Sequence, residues 1–377
     1  MKKQFGKFFV GAALALGLTC GLAPQADAGM ISLKQEIEMG RETGQAFEEK
    51  CGLLQDEYQQ ERVERIGQRL AAVCGRNDIT YSFKVLNGDE INAFACPGGF
   101  VYVYKGLLDF MPTDTELAGV LGHEVGHIAK KHTVHQIEKA MTANVLLGIF
   151  SIATGASAAM QNLGGLAASA LMQGFSRTDE RGADKEGVNN TIKAGFNPYA
   201  MLITSSKLED LAAKNGGSQG GIWASHPEPE ERYKRISQQL QKLDIHPDID
   251  VKDDDHATVY EGDWSFDINN SIGATKAKYR AFELAGNLYQ VRQRKPIDQN
   301  YFVVYDNGGS ADIYYDDIQV LRLYTQDAGN WGSAASYANA CVDILKDWSN
   351  KVNTGAFDKP SKDKKKDKKK DTKKDKK

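Results

Sequence analysis

No two cysteines in the chain lie close enough in sequence to form a CxxC metal cluster, so zinc-finger and zinc-ribbon architectures are excluded. No basic stripe interleaved with aromatics is present either, and without one the chain lacks what phosphate neutralisation and base stacking require. Nucleic acid is therefore not an expected partner. From Ala140 to Ser176 there is no charged residue for 37 consecutive positions. Two membrane spans do not fit in that stretch, since each needs about 20 apolar residues and a turn must join them. Asn144, Gln161, Asn162 and Gln173 shorten its apolar part further.

At 377 residues the chain is long enough for two folded units. Its formal charge of −3 conceals an asymmetry, because Asp358 to Lys377 holds twelve Lys and five Asp and leaves the rest near −10. On composition this Lys/Asp tail is solvated and disordered. At the other end Lys2, Lys3 and Lys7 precede an apolar run from Phe8 to Ala23 and the small-residue exit Ala26-Asp27-Ala28, the three parts of a secretory signal. Cleavage after Ala28 leaves Cys51, Cys74, Cys96 and Cys341, a number compatible with bridges in an oxidising compartment. Cys51 and Cys74 flank a predicted helix that holds them on the order of 30 Å apart, which disfavours pairing between them.

Helical spacing of Ile37, Phe47, Leu53, Leu54, Val63, Ile66 and Leu70 predicts two helices over 31–72, joined near Cys51-Gly52. Thr80 to Val85, Phe94 and Phe100 to Tyr104 then read as strands, with Pro97-Gly98-Gly99 as a turn. Thr113 and Glu116 form a capping box that opens a helix with Leu117, Val120, Leu121, Val125 and Ile128 on its apolar side. Further helices are expected at 178–194 and 230–243. Beyond Pro247 short β segments are expected at Ala257–Tyr260, Trp264–Ile268, Tyr301–Tyr305 and Ile313–Tyr324, with a turn at Asp306-Asn307-Gly308-Gly309. A last helix is expected to place Tyr337, Cys341, Ile344 and Trp348 on one face. The fold class is thus α+β: a mainly helical domain with a small sheet or hairpin, then a small α+β domain. The expected division is signal 1–28, main domain 29–245, accessory domain 246–357 and tail 358–377.

His123 and His127 are four residues apart, which puts both imidazoles on one helix face, and Glu124 sits one residue round from the first. Two converging imidazoles and an adjacent carboxylate suit one zinc ion per chain and a general base beside it. Zinc then lacks one protein ligand. Glu180 fits, and Asp184, four residues further on the same face, suits a carboxylate that orients a ligating histidine. His132 and His135 are the competing third ligands.

The chain resembles the family M48 peptidases, the Ste24-like gluzincins. The resemblance rests on Asn92-Ala93-Phe94-Ala95, Pro97-Gly98-Gly99, Gly106-Leu107-Leu108, His123-Glu124-Val125-Gly126-His127, the segment Ser176 to Asp184, and Ser225-His226-Pro227. It covers roughly 35–245. It implies zinc held by His123, His127 and Glu180, Glu124 as catalytic base, a zincin-type domain and endopeptidase activity on polypeptides. No tetratricopeptide pattern, which some exported relatives carry, is visible beyond residue 245.

Within that mechanism His226, before a proline on a Gly-rich loop, is the candidate electrophile for the oxyanion, or a resting-state zinc ligand that latches the enzyme. The alternative is that it only caps or packs against the next helix. Asn92, Ala93, Phe94 and Ala95 are expected to form an edge strand along which an extended substrate pairs. Helices from 140–176 are expected to cover the cleft, with superficial membrane contact through them, or through the tail, as the alternative. The functional expectation is an exported, periplasmic or extracytoplasmic metalloendopeptidase acting on misfolded or unassembled envelope proteins. Its rival is a zinc-containing, chaperone-like polypeptide-binding protein.

Overall fold

The architecture was obtained as a computed structural model that describes residues 29–146, 163–214 and 229–358. The described residues from Ile31 onward form one compact unit. Helix α1 (Leu33–Cys51) opens on a Ser32 capping box, and α2 (Glu57–Ala71) opens on Asp56, whose side chain accepts from Gln59 N–H. Strand β1 (Ser82–Leu86) runs parallel to β3 (Phe100–Tyr104), and β2 (Ala93–Cys96) pairs antiparallel with β3. The order is β1-β3-β2, so Ala93 to Cys96 lie at an edge of the sheet, with all four of their side chains buried. Phe94 packs against Phe47 and Tyr102 with ring centroids 4.4 and 5.3 Å away.

A short helix α3 (Lys105–Phe110) leads to α4 (Asp114–Ala129), whose N-terminus carries the expected capping box: Thr113 Oγ1 accepts from Glu116 N–H, and the Glu116 carboxylate accepts from Thr113 N–H. Asp114 and Glu116 in the first turn also suit the positive end of the helix dipole. From Glu116 to Ile128 every residue of α4 is buried. Helices α5 (His132–Leu146) and α6 (Leu163–Gln173) follow. Ala167 and Ala170 of α6 pack on Met39 and Ile137, and Leu171 and Phe175 pack among Phe94, Tyr102 and Tyr104. These parts of the uncharged stretch thus cover β2. Among the described residues no helix is long and apolar enough to cross a membrane.

Helices α7 (Arg177–Lys193), α8 (Ala200–Lys214) and α9 (Pro229–Lys242) complete this half. Two antiparallel three-stranded sheets follow, β4 (Asp248–Val251), β5 (Ala257–Glu261) and β6 (Trp264–Ile268), then β7 (Phe302–Asp306), β8 (Ser310–Tyr315) and β9 (Ile318–Tyr324). Helices α10 (Ala277–Arg292) and α11 (Ala334–Thr354) pack on them. One apolar core crosses residue 245: Val188, Met201, Leu202 and Ile236 share it with Val259, Phe266, Phe282 and Leu288.

The structure departs from the sequence reading at three points. The run Ile313–Tyr324 is a hairpin rather than one strand, turning at Asp316, which adopts φ 54°. Asp316-Asp317, two acidic residues between the apolar runs, is the turn signal that separates the two strands. Helix α10 lay unseen because its buried residues surround it instead of forming a stripe. On α11 Ile344 faces solvent, while Cys341, Val342, Leu345 and Trp348 form the buried face. The four described cysteines are free thiols.

Candidate metal centre

Helices α4 and α7 meet closely because small residues line the contact. A Cβ on Gly126 would stand 2.8 Å from the Ala183 carbonyl oxygen, and one on Gly187 would stand 3.2 Å from the His123 backbone nitrogen. Helix α7 is started by Ser176, whose hydroxyl accepts from Asp179 N–H, so Glu180 emerges in its first turn facing α4. Glu180 Oε2 lies 3.4 Å from His123 Nε2 and Glu180 Oε1 lies 3.3 Å from His127 Nε2. The two Nε2 atoms are 3.0 Å apart. One donor atom from each of His123, His127 and Glu180 lies within 4.8 Å of the other two, and all three residues are buried. Glu124, 1% exposed, is buried beside them.

Each imidazole is held from behind. His123 Nδ1 stands 3.0 Å from Asp184 Oδ1, so an N–H donated there leaves the Nε2 lone pair facing Glu180 and His127. His127 Nδ1 stands 3.0 Å from His132 Nδ1. Burial, the largest influence on His132, lowers its pKa, which keeps it neutral and able to accept the N–H of His127. Phe175 stacks on His127 at 3.9 Å. His132 is therefore a support of His127 rather than a third ligand, and neither it nor His135 joins the converging set.

Arg232 of α9 completes the centre, and sequence reasoning missed it. Its Nε donates to Asp184 Oδ2 at 3.1 Å, its Nη2 donates to Asp184 Oδ1 at 2.5 Å, and its Nη1 lies 3.9 Å from Glu180 Oε2. Burial pushes the Asp184 carboxyl up, but Arg232 and His123 outweigh it and hold it down to about 2. Burial and Arg232 push the His123 imidazole down, while Glu180 and Asp184 push it further the other way, up to about 9. The field at Nε2 thus favours positive charge. Two imidazole nitrogens and a carboxylate oxygen, buried and converging in such a field, fit a zinc ion that keeps one coordination position open. His226 lies outside the described residues.

The fold and the paired-histidine helix define a mainly helical α+β protein of zincin type. Residues 57–240, from α2 through most of α9, match the family described as Peptidase family M48. The chain is 30% identical over 183 residues to Metalloprotease YcaL of Escherichia coli (strain K12), covering 47% of this chain and 70% of that protein. It is 28% identical over 232 residues to the Beta-barrel assembly-enhancing protease of Yersinia pestis, covering 59% of this chain and 47% of that one. To Metalloprotease LoiP of Escherichia coli (strain K12) it is 33% identical over 161 residues, 42% of this chain and 62% of the relative. The chain belongs to peptidase family M48, and it spans less than half of the assembly-enhancing protease it matches.

Proposed function

We propose that this protein is an exported zinc metalloendopeptidase that hydrolyses polypeptides, with misfolded or unassembled envelope proteins as its substrates. The observation that carries the reading is the buried convergence of His123, His127 and Glu180 beside Glu124. In this reading the three residues hold one Zn²⁺, which when bound supplies Lewis acidity toward the scissile carbonyl and toward water. Glu124 takes the proton of the attacking water and passes it to the leaving amine. Asp184 keeps His123 in the tautomer that presents Nε2. An extended substrate pairs along Asn92 to Ala95, at the edge strand of the first sheet. His226 serves as electrophile or latch. Export rests on the signal-like N-terminus, and polypeptide substrates are supported by relatives named as proteases.

The test is cleavage of casein by the protein from Gly29 onward beside Glu124→Gln, with zinc measured in both. Cleavage by wild type and none by the zinc-loaded variant supports the reading. Zinc in both without cleavage by either overturns it, unless His226→Ala releases activity.

A further inference from the structure

Glu36 and Arg76 lie outside the metal centre and are 3% and 6% exposed. Glu36 sits in the first turn of α1, and Arg76 follows α2. Arg76 Nη2 donates to Glu36 Oε2 at 2.7 Å, and its Nε donates to Asp78 Oδ1 at 3.2 Å. Each partner also reaches backbone elsewhere. Glu36 Oε1 accepts from Gly98 N–H at 3.1 Å, and Arg76 Nη1 donates to the Ile128 carbonyl at 2.8 Å. Gly98 belongs to the turn joining β2 to β3, and Ile128 follows His127 near the end of α4. One buried ion pair therefore ties the end of the edge strand to the helix that carries His123, Glu124 and His127.

The contact leaves little room for sliding. A Cβ on Gly98 would stand 2.5 Å from Ile37 Cα, and one on Gly40 would stand 1.8 Å from the Pro97 carbonyl oxygen, so α1 and the turn touch backbone to backbone. Desolvation cancels much of what a buried ion pair contributes to stability, so such a pair is weak as a stabiliser alone. Its hydrogen bonds instead specify where two separate elements stand. We propose that Glu36 and Arg76 are positioning residues that hold β2 in register with α4, and so hold a polypeptide paired along β2 in line with Glu124. This rests on the peptidase reading of the centre. Displacement by about 1 Å can lower turnover on the order of 100-fold.

The test is the double variant Glu36→Gln with Arg76→Met, which removes both charges together and keeps an acceptor for Gly98. Zinc content is expected to stay at the wild-type level, because no metal ligand is touched. On casein kcat is expected to fall roughly tenfold or more, with KM changed less than about threefold, since the pairing groups of β2 themselves are unchanged. Amide hydrogen exchange at Gly98 and Gly99 and at 126–130 should rise together. Arg76→Lys, which keeps the charge but loses the fork, should give an intermediate kcat and carries the same test where the double variant does not fold. An unchanged kcat per zinc-loaded molecule, with only a lower Tm, overturns the proposal. Absence of cleavage by wild type is instead a failure of the peptidase reading. Exchange then decides alone, with faster exchange in both segments supporting the tie and no change in either overturning it.

Discussion

Nη2 of Arg232 lies 2.5 Å from Oδ1 of Asp184, the same oxygen that stands 3.0 Å from Nδ1 of His123. The guanidinium thus aims the carboxylate that aims the imidazole. Replacing it by Met leaves Asp184 buried with half its partners gone, and such outer partners are worth roughly 10- to 100-fold in metal affinity. Arg232→Met is expected to weaken zinc binding by about that factor, measured by competition with a chromogenic chelator. Arg232→Lys, a point charge without the fork, should fall between. Equal affinity in all three would mean that Arg232 only packs.

His132 supports the second histidine in the same way, through the 3.0 Å contact between the two Nδ1 atoms. His132→Ala should weaken zinc binding by about tenfold, and His132→Asn, whose side-chain oxygen can still accept, should recover part of it. Zinc titration monitored by Tm checks both. An affinity that stays at wild type in His132→Ala would assign the orientation of His127 to its stacking on Phe175.

The centre was legible to different depths. His123, Glu124 and His127 were readable because a four-residue spacing fixes a shared helix face, and the Thr113 capping box marked where their helix begins, whereas the Ser176 cap of α7 emerged only from the structure. Arg232 was not, since it is one of 47 Lys and Arg residues and sits on a highly charged helix. A signal did exist: Arg232 falls four and eight residues before Ile236 and Leu240, which are buried, so it continues the apolar stripe of α9. The Glu36–Arg76 tie has no such signal, because its partners are 40 residues apart on elements whose docking only the fold decides.

Gly126 tests how closely α4 and α7 must approach. A methyl there would meet the Ala183 carbonyl oxygen at 2.8 Å, a backbone atom that cannot rotate away. Gly126→Ala should cost about 1–3 kcal/mol, as overpacking does, even though alanine favours the helix. Because Glu180 rides on the displaced helix, zinc affinity should fall as well. Urea denaturation with and without zinc separates the two effects, and a variant as stable and as zinc-avid as wild type would show that the interface yields.

Glu283 should make stability depend on pH. It lines a cavity of about 1080 Å³ with Thr113 and Glu116, and burial, then the neighbouring Glu116, pushes its pKa up to about 7. A carboxyl raised in the folded state favours folding below its unfolded pKa near 4.3. That advantage is lost progressively as pH rises toward 7, because the folded state resists giving up the proton. Glu283→Gln is therefore expected to raise stability at pH 8 by up to ~2 kcal/mol and to change little at pH 4.5. Parallel thermal melts at the two pH values check it. A variant that gains nothing at pH 8 would show that the carboxylate is accommodated when charged.

The carboxylates of the centre make a last prediction. Glu124, Glu180 and Asp184 are buried together, and the Arg232 guanidinium stands among them. Burying that much negative charge is unfavourable, and a divalent cation held by His123, His127 and Glu180 offsets it. Zinc should therefore stabilise the native state by about 2.7 kcal/mol at 100 times its Kd, and chelation should reverse the gain. Glu180→Ala separates two sources of the effect. In chelator it takes a buried carboxylate away from His123 and Arg232, so the variant should melt at or below wild type, and with a ligand gone, added zinc should raise its Tm far less. Equal zinc responses in the two proteins would place the ion somewhere other than between α4 and α7.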